Sequence, residues 1–310
     1  EERFSEALSG LEEQLADLPS FTEVDRYLLS NNDIPAEALA KLDTGKAPRS
    51  SYLSSDASKI QVFVLFGLDG VDSSDSVMLV ALDRVHQKIK LISLARDSYV
   101  FIPEFASFSK LAYSYTWGGA AMAVKNLNYN YYLNVSDYIA VDFDQLAQII
   151  DRIGGVTVNI DEDEARYLSG YPNVRVGDCL LDGETAVSYA RIRKSSATDS
   201  DRKRTGRQRE VILSILNTLQ TMPLSQYPGF VRDCLGMCAT SFEAETLLTM
   251  AAETLGQNYT VEQYFFPEGQ VDWWAGLIKE YFYYVYDLRR ASDRIYRIIY
   301  EELYISGYDD

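Results

Sequence analysis

Three apolar segments, each about as long as a β-strand, follow one another between residues 59 and 95. They read KIQVFVLFGLDG, SVMLVALD and KIKLISLA, and a turn around residues 84–87 separates the second from the third. Strands this uniformly apolar are covered on both faces, and helical patterns such as FDQLAQIIDRIGG alternate with further strands downstream. The alternation predicts an α/β fold, namely a three-layer α/β/α sandwich with a central mixed sheet.

The first 55 residues differ in pattern from the remainder. Apolar residues recur at helical spacing over residues 4–18, and a further helix is predicted with Asp33 as its N-cap. A Ser-, Gly- and Pro-rich stretch over residues 44–58 is typical of a linker. We therefore predict an N-terminal helical stalk or accessory segment over residues 1–55, with a partner-binding helix as the alternative, and one large domain over residues 56–305.

The composition limits the partners of the chain. Its formal net charge is -17, and the resulting field repels nucleic acid and anionic lipid. A single histidine excludes His-rich zinc sites. Cys179, Cys234 and Cys238 are too few for a disulfide framework. Buried free thiols and a single bridge both remain open, and the last two cysteines are predicted to share a helix face.

No apolar run reaches the roughly 18 residues that a membrane-spanning helix needs. The first residues, EERFSEALSG, lack the basic and apolar regions of a signal peptide. We therefore expect any segment that precedes Glu1 in the natural protein to be missing from this chain.

Carboxylates cluster in the segment GLDGVDSSDSVML. Asp69 ends the first predicted strand, Asp75 immediately precedes the next, and Asp72 lies on the loop between them. Carboxylates on a Gly-rich loop at strand ends are suited to a hard cation such as Mg²⁺. Aspartates that form Asx turns are the alternative interpretation.

Arg96 and Asp97 directly follow the third apolar strand, in SLARDSYVFIP. Burying an unpaired charge is costly, so this pair is predicted to lie on the rim of the sheet rather than in the core. The rim beyond the strand ends is the usual ligand crevice of an α/β fold. A plain surface ion pair is the alternative.

The stretch from Tyr189 to Ile212, YARIRKSSATDSDRKRTGRQREVI, contains eight Lys and Arg residues but only three acids. Arg191 and Arg193 lie two apart at a predicted helix end, whereas Arg204 and Gln208 are four apart on the next helix and share a face. A guanidinium group binds phosphate oxygens in a bidentate manner. The alternative is a solvated helix face paired with Asp199 and Asp201.

Together these clusters provide carboxylates for Mg²⁺ and arginines for anionic oxygens, with no His or Cys nucleophile. That combination is typical of phosphoryl transfer, in which positioning and charge neutralisation are the main contributions. GLDGVDSSDS lacks the Lys-Ser/Thr ending of a Walker A motif, so a P-loop is excluded.

Several spaced motifs occur in one order along residues 59–219: GLD, SDSVML, SLARDSYVFIP, GG, DY, DF, GGV, AVSYARIR, and DRKRTGRQ. Together they resemble the LytR–CpsA–Psr family of bacterial cell-wall enzymes. Ala95 replaces the proline that the family has before its Arg-Asp pair. The resemblance makes the predicted domain over residues 56–305 a LytR–CpsA–Psr catalytic domain of the α/β class.

The resemblance implies a Mg²⁺-dependent phosphotransferase. Such an enzyme moves a glycopolymer (teichoic acid, or a capsular or secondary wall polysaccharide) from a polyprenyl-pyrophosphate carrier to peptidoglycan. It also implies an ectodomain at the extracellular face of the bacterial cell membrane, with an anchor that is absent from this chain. The alternatives are a non-catalytic polyprenyl-pyrophosphate or glycan-binding protein and a pyrophosphate hydrolase that uses the same site.

The family's functional residues carry over position by position. The metal ligands fall on Asp69 and Asp75. The pyrophosphate contacts fall on Arg96, Arg191, Arg193, Arg204 and Gln208. Catalytic roles fall on Asp75, Arg96, Asp97 and Arg191.

Overall fold

The computed structural model describes residues 24–42, 52–70, 73–193, 197–255 and 259–307, without the side chains of residues 31, 197–201, 224 and 255. The helix predicted over residues 4–18, Asp72 and most of the predicted linker lie outside these ranges. The chain divides into two compact units. The first unit takes its described residues from 1–66, 71–138 and 262–310, and the second from 67–70 and 139–261.

The described chain alternates strands and helices. The strands are β1 Tyr52–Leu53, β2 Ile60–Leu68, β3 Ser74–Asp83, β4 Lys88–Leu94, β5 Tyr99–Ile102, β6 Ser107–Lys110, β7 Tyr138–Asp142, β8 Val156–Ile160, β9 Gly177–Leu181, β10 Ala239–Thr240, β11 Thr260–Phe266, β12 Trp273–Ile278, β13 Tyr281–Tyr286 and β14 Tyr304–Ile305. The α-helices are α1 Ala36–Leu39, α2 Tyr113–Tyr131, α3 Phe143–Arg152, α4 Glu162–Tyr167, α5 Gly183–Ala190, α6 Ala197–Gln220, α7 Tyr227–Leu235, α8 Ala244–Leu255 and α9 Leu288–Tyr300.

A six-stranded mixed sheet forms the centre of the fold, in the order β10-β7-β2-β3-β4-β11. All but one residue of β3 is buried, as expected for a strand covered on both faces. The antiparallel β3–β4 pair closes with Asp83 opposite Lys88, at the predicted turn. The predicted α/β class with a central mixed sheet is confirmed.

Helix α2 begins earlier than its sequence predicts. The segment GGAAMAVKNLNYNYY predicts a helix that starts after the glycine pair Gly118–Gly119, but the helix begins at Tyr113 and is kinked at that pair. Gly119 has φ +61° and ψ -158°, a conformation open to glycine alone, so the pair bends the helix instead of preceding it.

The described residues also form four two-stranded antiparallel sheets: β1–β14, β5–β6, β8–β9 and β12–β13. Within the first unit, residues 24–42 pack on this framework, with Leu29 and Ala38 buried beside Tyr283. The prediction of Asp33 as the N-cap of α1 is wrong. Asp33 closes a 3₁₀ turn by accepting from the Ser30 backbone N–H at 2.8 Å, and Pro35 occupies the N-cap of the helix.

The two helices that carry the predicted arginine cluster also begin and end at residues other than those predicted. Helix α5 ends at Ala190, so Arg191 is its C-cap. Helix α6 already includes Ala197, whereas the sequence KSSATDSD over residues 194–201 predicts an acidic, Ser-rich loop.

The three cysteines are free thiols. Cys238 lies beyond the end of α7, so it does not share a helix face with Cys234 as predicted. Burial raises the pKa of the Cys234 thiol to about 12, which keeps it protonated and unreactive at neutral pH. Within the described ranges, no helix combines the length and the apolarity that crossing a bilayer requires.

A buried network joins the β3–β4 turn to the end of the first unit. His86 lies 2.6 Å from Asp83 through Nδ1 and 2.8 Å from Glu302 through Nε2. Lys90, fully buried, lies 2.8 Å from Asp83 and 2.9 Å from Glu301. The oxygens and nitrogen of Asp83, His86 and Glu301 are close enough to hold a metal ion. Because the Lys90 ammonium already contacts both carboxylates, we interpret the group as an ion-pair network.

The His86 contacts predict a pH-dependent stability. Burial alone would lower the pKa of His86, but its hydrogen bonds to Asp83 and Glu302 outweigh burial and raise the pKa above its ordinary value. The stabilisation is therefore complete below the ordinary pKa of about 6.5 and is lost as the pH rises through the folded pKa. We expect the melting temperature of the wild type to fall more between about pH 6 and pH 9 than that of His86→Gln. Parallel pH profiles for the two proteins would contradict this.

Candidate functional site

The turn between β4 and β5 holds Arg96 and Asp97 in a fixed backbone conformation. The Ala95 N–H donates to the carbonyl of Phe266 at 2.9 Å, and the Tyr284 N–H donates to the carbonyl of Asp97 at 2.9 Å. Backbone groups of β11 and β13 therefore fix the turn from two sides, which restricts where the two charged side chains can point.

Arg96 and Asp97 belong to a paired-charge cluster with Asp75 and Lys110, all in the first unit. Asp75 is the second residue of β3, where the sequence placed it just before the strand, and its carboxylate contacts the Arg96 guanidinium. Lys110 Nζ lies 2.7 Å from Asp97 Oδ1, and Arg96 Nε lies 3.8 Å from Asp97 Oδ2. Asp75, Asp97 and Lys110 are each at most 9% exposed. The arrangement is a largely buried, charge-balanced cluster, unlike a surface ion pair.

Lys110 was not predicted from the sequence. Its ammonium group lies 6.0, 5.8 and 5.4 Å from the ring centres of Tyr113, Tyr281 and Tyr283. Such contacts stabilise a cation on aromatic faces. Burial and the negative charge of Asp97 raise the pKa of Tyr113 to about 12, so its hydroxyl stays protonated and can donate a hydrogen bond.

The predicted metal ligands are Asp69 and Asp75. Asp69 directly follows β2 and is partly buried, and Asp75 lies near the start of β3. Carboxylate oxygens are the ligands that Mg²⁺ prefers, so the donor chemistry of both residues fits this ion. Because Asp75 Oδ1 contacts Arg96, a cation at Asp75 would share the carboxylate with the guanidinium or displace it.

In the second unit, close packing of two helices places the end of α5. A Cβ atom built on Gly183 would lie 2.1 Å from the carbonyl oxygen of Ala147, so this approach of α5 to α3 requires glycine. The guanidinium of Arg191, the C-cap of α5, lies 4.5 Å from the centre of the Phe143 ring at the start of α3. The guanidinium group therefore forms a cation–π contact with the Phe143 ring.

The residues after α5 alternate between surface and core. Ile192 is fully buried, whereas Arg191 and Arg193 on either side are exposed. The core contact of Ile192 therefore directs both predicted arginines to the surface of the second unit.

The basic residues of helix α6 differ in their surroundings and in their roles. Arg204 is only 3% exposed, and Gln208, one turn later, has a buried Oε1 with no hydrogen-bond partner among the described residues. Arg207 points elsewhere, because its Nε lies 2.6 Å from Glu164 and its Nη1 lies 3.2 Å from the carbonyl of Ile192. Arg207 thus has a structural role, and the burial of Arg204 does not fit a solvated helix face.

Two further arginines of α6 were not singled out from the sequence. Burial and the positive charge of Arg202 lower the pKa of Arg209 to about 10. Cations held this close together favour the binding of an anion. The side chains of Asp199 and Asp201, predicted as alternative partners of the arginines, lie outside the described residues.

Replacing Arg207 by alanine should lower the free energy of unfolding by about 3–5 kcal/mol, because it leaves the Glu164 carboxylate buried without its partner. Arg166→Ala, which removes an exposed pair with Asp163, should cost at most about 1 kcal/mol. Urea unfolding of both variants measures the difference. Equal losses would mean that the Glu164 contact is no more important than a surface pair.

Comparison with known proteins identifies relatives that match most of this chain. A profile of the LytR_cpsA_psr family matches residues 32–296. The polyisoprenyl-teichoic acid–peptidoglycan teichoic acid transferase TagU of Oceanobacillus iheyensis is 29% identical over 230 residues, which are 71% of this chain and 69% of the relative. The regulatory protein MsrR of Staphylococcus aureus is 30% identical over 56% of this chain and 54% of its own length.

Solved structures share the fold. The structural alignment with Bacillus subtilis TagT covers 84% of this chain and 99% of the TagT chain, with a TM-score of 0.65 and 19% identity. The alignment with a structure of TagT bound to LIIa-WTA covers 85% of this chain and 97% of that TagT chain, with a TM-score of 0.63 and 20% identity. Since the family profile spans most of the sequence, the chain belongs to the LytR_cpsA_psr family.

Proposed function

We propose that this protein is a Mg²⁺-dependent phosphotransferase. It moves a glycopolymer from a polyprenyl-pyrophosphate carrier to peptidoglycan at the outer face of the bacterial membrane. Membership of the LytR_cpsA_psr family and the similarity to TagU, a teichoic acid transferase, support this assignment.

The paired-charge cluster is the observation that carries the proposal. It presents a guanidinium group, Arg96, between the carboxylates of Asp75 and Asp97, in surroundings from which most water is excluded. Electrostatic interactions are stronger there than in water, and charge neutralisation is what phosphoryl transfer needs from a protein. Arg191, Arg193, Arg204 and Gln208 of the second unit are proposed as further pyrophosphate contacts.

The proposed reaction breaks one phosphorus–oxygen bond and forms another. A hydroxyl oxygen of peptidoglycan attacks the phosphorus atom that carries the glycopolymer. The bond to the bridging oxygen breaks, and polyprenyl phosphate leaves with the electron pair, while a carboxylate of the paired-charge cluster takes the hydroxyl proton. Arginines hold the pyrophosphate oxygens and stabilise the charge that develops on the leaving phosphate. Mg²⁺ bound by Asp69 and Asp75 would neutralise part of the phosphate charge.

The test is an assay with a short polyprenyl-pyrophosphate-linked glycan and a peptidoglycan oligomer, with and without Mg²⁺. The proposal expects a phosphodiester-linked product together with polyprenyl phosphate. Release of polyprenyl phosphate without any linked product would indicate a hydrolase, and binding of the donor without release would indicate a carrier-binding protein. Either outcome would overturn the assignment.

A further inference from the structure

The first unit has a cleft at the C-terminal end of α2. Its volume is about 440 Å³, within the range of about 300–1,000 Å³ that is usual for small-molecule sites. The lining residues include Phe101, Phe108, Tyr129, Tyr132 and Arg289. Aromatic rings therefore make up much of its wall, and polar groups lie among them.

One wall is a packed group of rings. Phe101 lies 5.1 Å from Phe108 at an interplanar angle of 69°, and 5.6 Å from Tyr129 at 34°. The contacts orient Tyr129, yet 55% of this residue remains exposed. Its ring is therefore held in place with a face or an edge accessible to a ligand.

The cleft is also lined by Tyr132, which is 54% exposed. Tyr132 has φ +53°, a backbone conformation that is unfavourable for a bulky side chain. Two hydrogen bonds hold it there: Tyr296 donates its hydroxyl to the Tyr132 carbonyl at 2.8 Å, and Arg289 Nε donates to the Tyr132 hydroxyl at 3.2 Å. An exposed aromatic ring is thus fixed at the cleft despite the cost to the backbone.

The charges of the cleft nearly cancel. Arg289 supplies one positive charge, and Asp287, whose Oδ1 caps the start of α9, supplies one negative charge. Such a balance favours an uncharged polar ligand over a phosphate or a metal ion. The phenol and guanidinium groups can form hydrogen bonds with hydroxyl and amide groups, while the rings offer apolar faces.

We propose that this cleft binds the pyranose rings of a glycan strand. Sugar rings have apolar C–H faces that pack on aromatic rings and a periphery of hydroxyl groups that need directional partners. In taking peptidoglycan glycan strands as the ligand, the inference rests on the proposed function. The cleft is distinct from the paired-charge cluster, because no residue of that cluster lines it, although Phe108 lies two positions before Lys110 on β6.

A glycan subsite outside the paired-charge cluster would hold a polymeric substrate through aromatic rings that take no part in the reaction. Binding energy from such contacts raises the local concentration of the strand and restricts its orientation at the reacting hydroxyl. A proline-rich peptide is the other ligand class that aromatic grooves bind. The proposed substrate favours the glycan, and the peptide becomes an outcome of the test.

The experiment measures binding of a peptide-free peptidoglycan tetrasaccharide to the full chain by isothermal titration calorimetry. Tyr129→Ala should weaken binding about tenfold, equivalent to about 1.4 kcal/mol. Tyr132→Asn should do so as well, and asparagine tolerates the left-handed backbone. Tyr167→Ala removes a tyrosine of the second unit that is 61% exposed and should change nothing.

Arg191→Ala separates this inference from the proposed function, because it should reduce transfer but retain tetrasaccharide affinity. If the tetrasaccharide binds through these tyrosines but the protein shows no transfer, the glycan site is supported and the proposed function is wrong. The inference is overturned if the wild type does not bind the tetrasaccharide, or if the Tyr129 and Tyr132 variants bind as the wild type does. It is also overturned if a proline-rich peptide binds through these tyrosines in place of the glycan.

Discussion

Replacing Asp75 by alanine should reduce Mg²⁺-dependent transfer by about a hundredfold or more. The substitution removes a proposed metal ligand and also the partner of Arg96. Arg96 would then lose the contact that orients its guanidinium group, so the cation and the phosphate contact are both affected. Initial rates over a Mg²⁺ titration, measured alongside the melting temperature, check this expectation.

Asp75→Asn distinguishes the two roles of this carboxylate. An amide oxygen can still accept a hydrogen bond from Arg96, but it lacks the charge that makes a carboxylate a good Mg²⁺ ligand. If Asp75 binds the cation, the Asp75→Asn variant should be nearly as inactive as the Asp75→Ala variant. Asp144→Ala, which removes an exposed carboxylate from α3, is the control and should leave the rate unchanged. Wild-type rates for Asp75→Asn at every Mg²⁺ concentration would exclude the metal role.

The central sheet was predictable because burial on both faces leaves a strong local signal. The apolar runs of β2, β3 and β4 are strand-sized and uninterrupted, and each has a polar or Gly-containing boundary. The β12–β13 hairpin has a weaker signal, because only Lys279 and Glu280 separate its two strands. Lys279 has φ +53° in this turn, where the usual sequence signal is Asn or Gly.

The surroundings of Lys110 could not be predicted because they depend on tertiary contacts. Tyr113 is close in sequence, but Tyr281 and Tyr283 lie about 170 residues away and reach Lys110 only through the packing of the first unit. A single lysine between a strand and a helix carries no local signal of function. Arg96 and Asp97 were recognisable because a charged pair directly after a buried strand is unusual.

The basic segment was predicted in part. Helical spacing separated Arg204 and Gln208 from Arg207, and the structure shows Arg207 bound to Glu164. Spacing did not reveal that Arg204 is buried, because burial depends on elements packed against α6 from elsewhere in the second unit. The role of these residues in pyrophosphate binding stays a prediction, and substitution of the exposed pair tests it.

Replacing Arg191 or Arg193 by lysine should slow transfer by roughly tenfold to a hundredfold, equivalent to about 1.5–3 kcal/mol for a charge-assisted hydrogen bond. Lysine keeps the positive charge but loses the planar fork that binds two phosphate oxygens at once. Arg191→Lys also loses the guanidinium contact with the Phe143 ring, so it should be the more affected variant. If negative charge builds on the leaving phosphate, the loss should appear in kcat as well as in KM.

Steady-state transfer from a short pyrophosphate-linked sugar to a peptidoglycan oligomer measures both constants. Arg166→Lys is the matched control, because Arg166 is an exposed arginine of the second unit with an i,i+3 partner, Asp163. Exposed pairs of this kind contribute only about 0–1 kcal/mol, so the control should remain close to the wild-type rate. If Arg191 and Arg193 are only solvent-exposed surface residues that bind no substrate, their lysine variants should match the control. A loss confined to those two positions would instead require an anion that distinguishes a guanidinium from an ammonium group, as a pyrophosphate does.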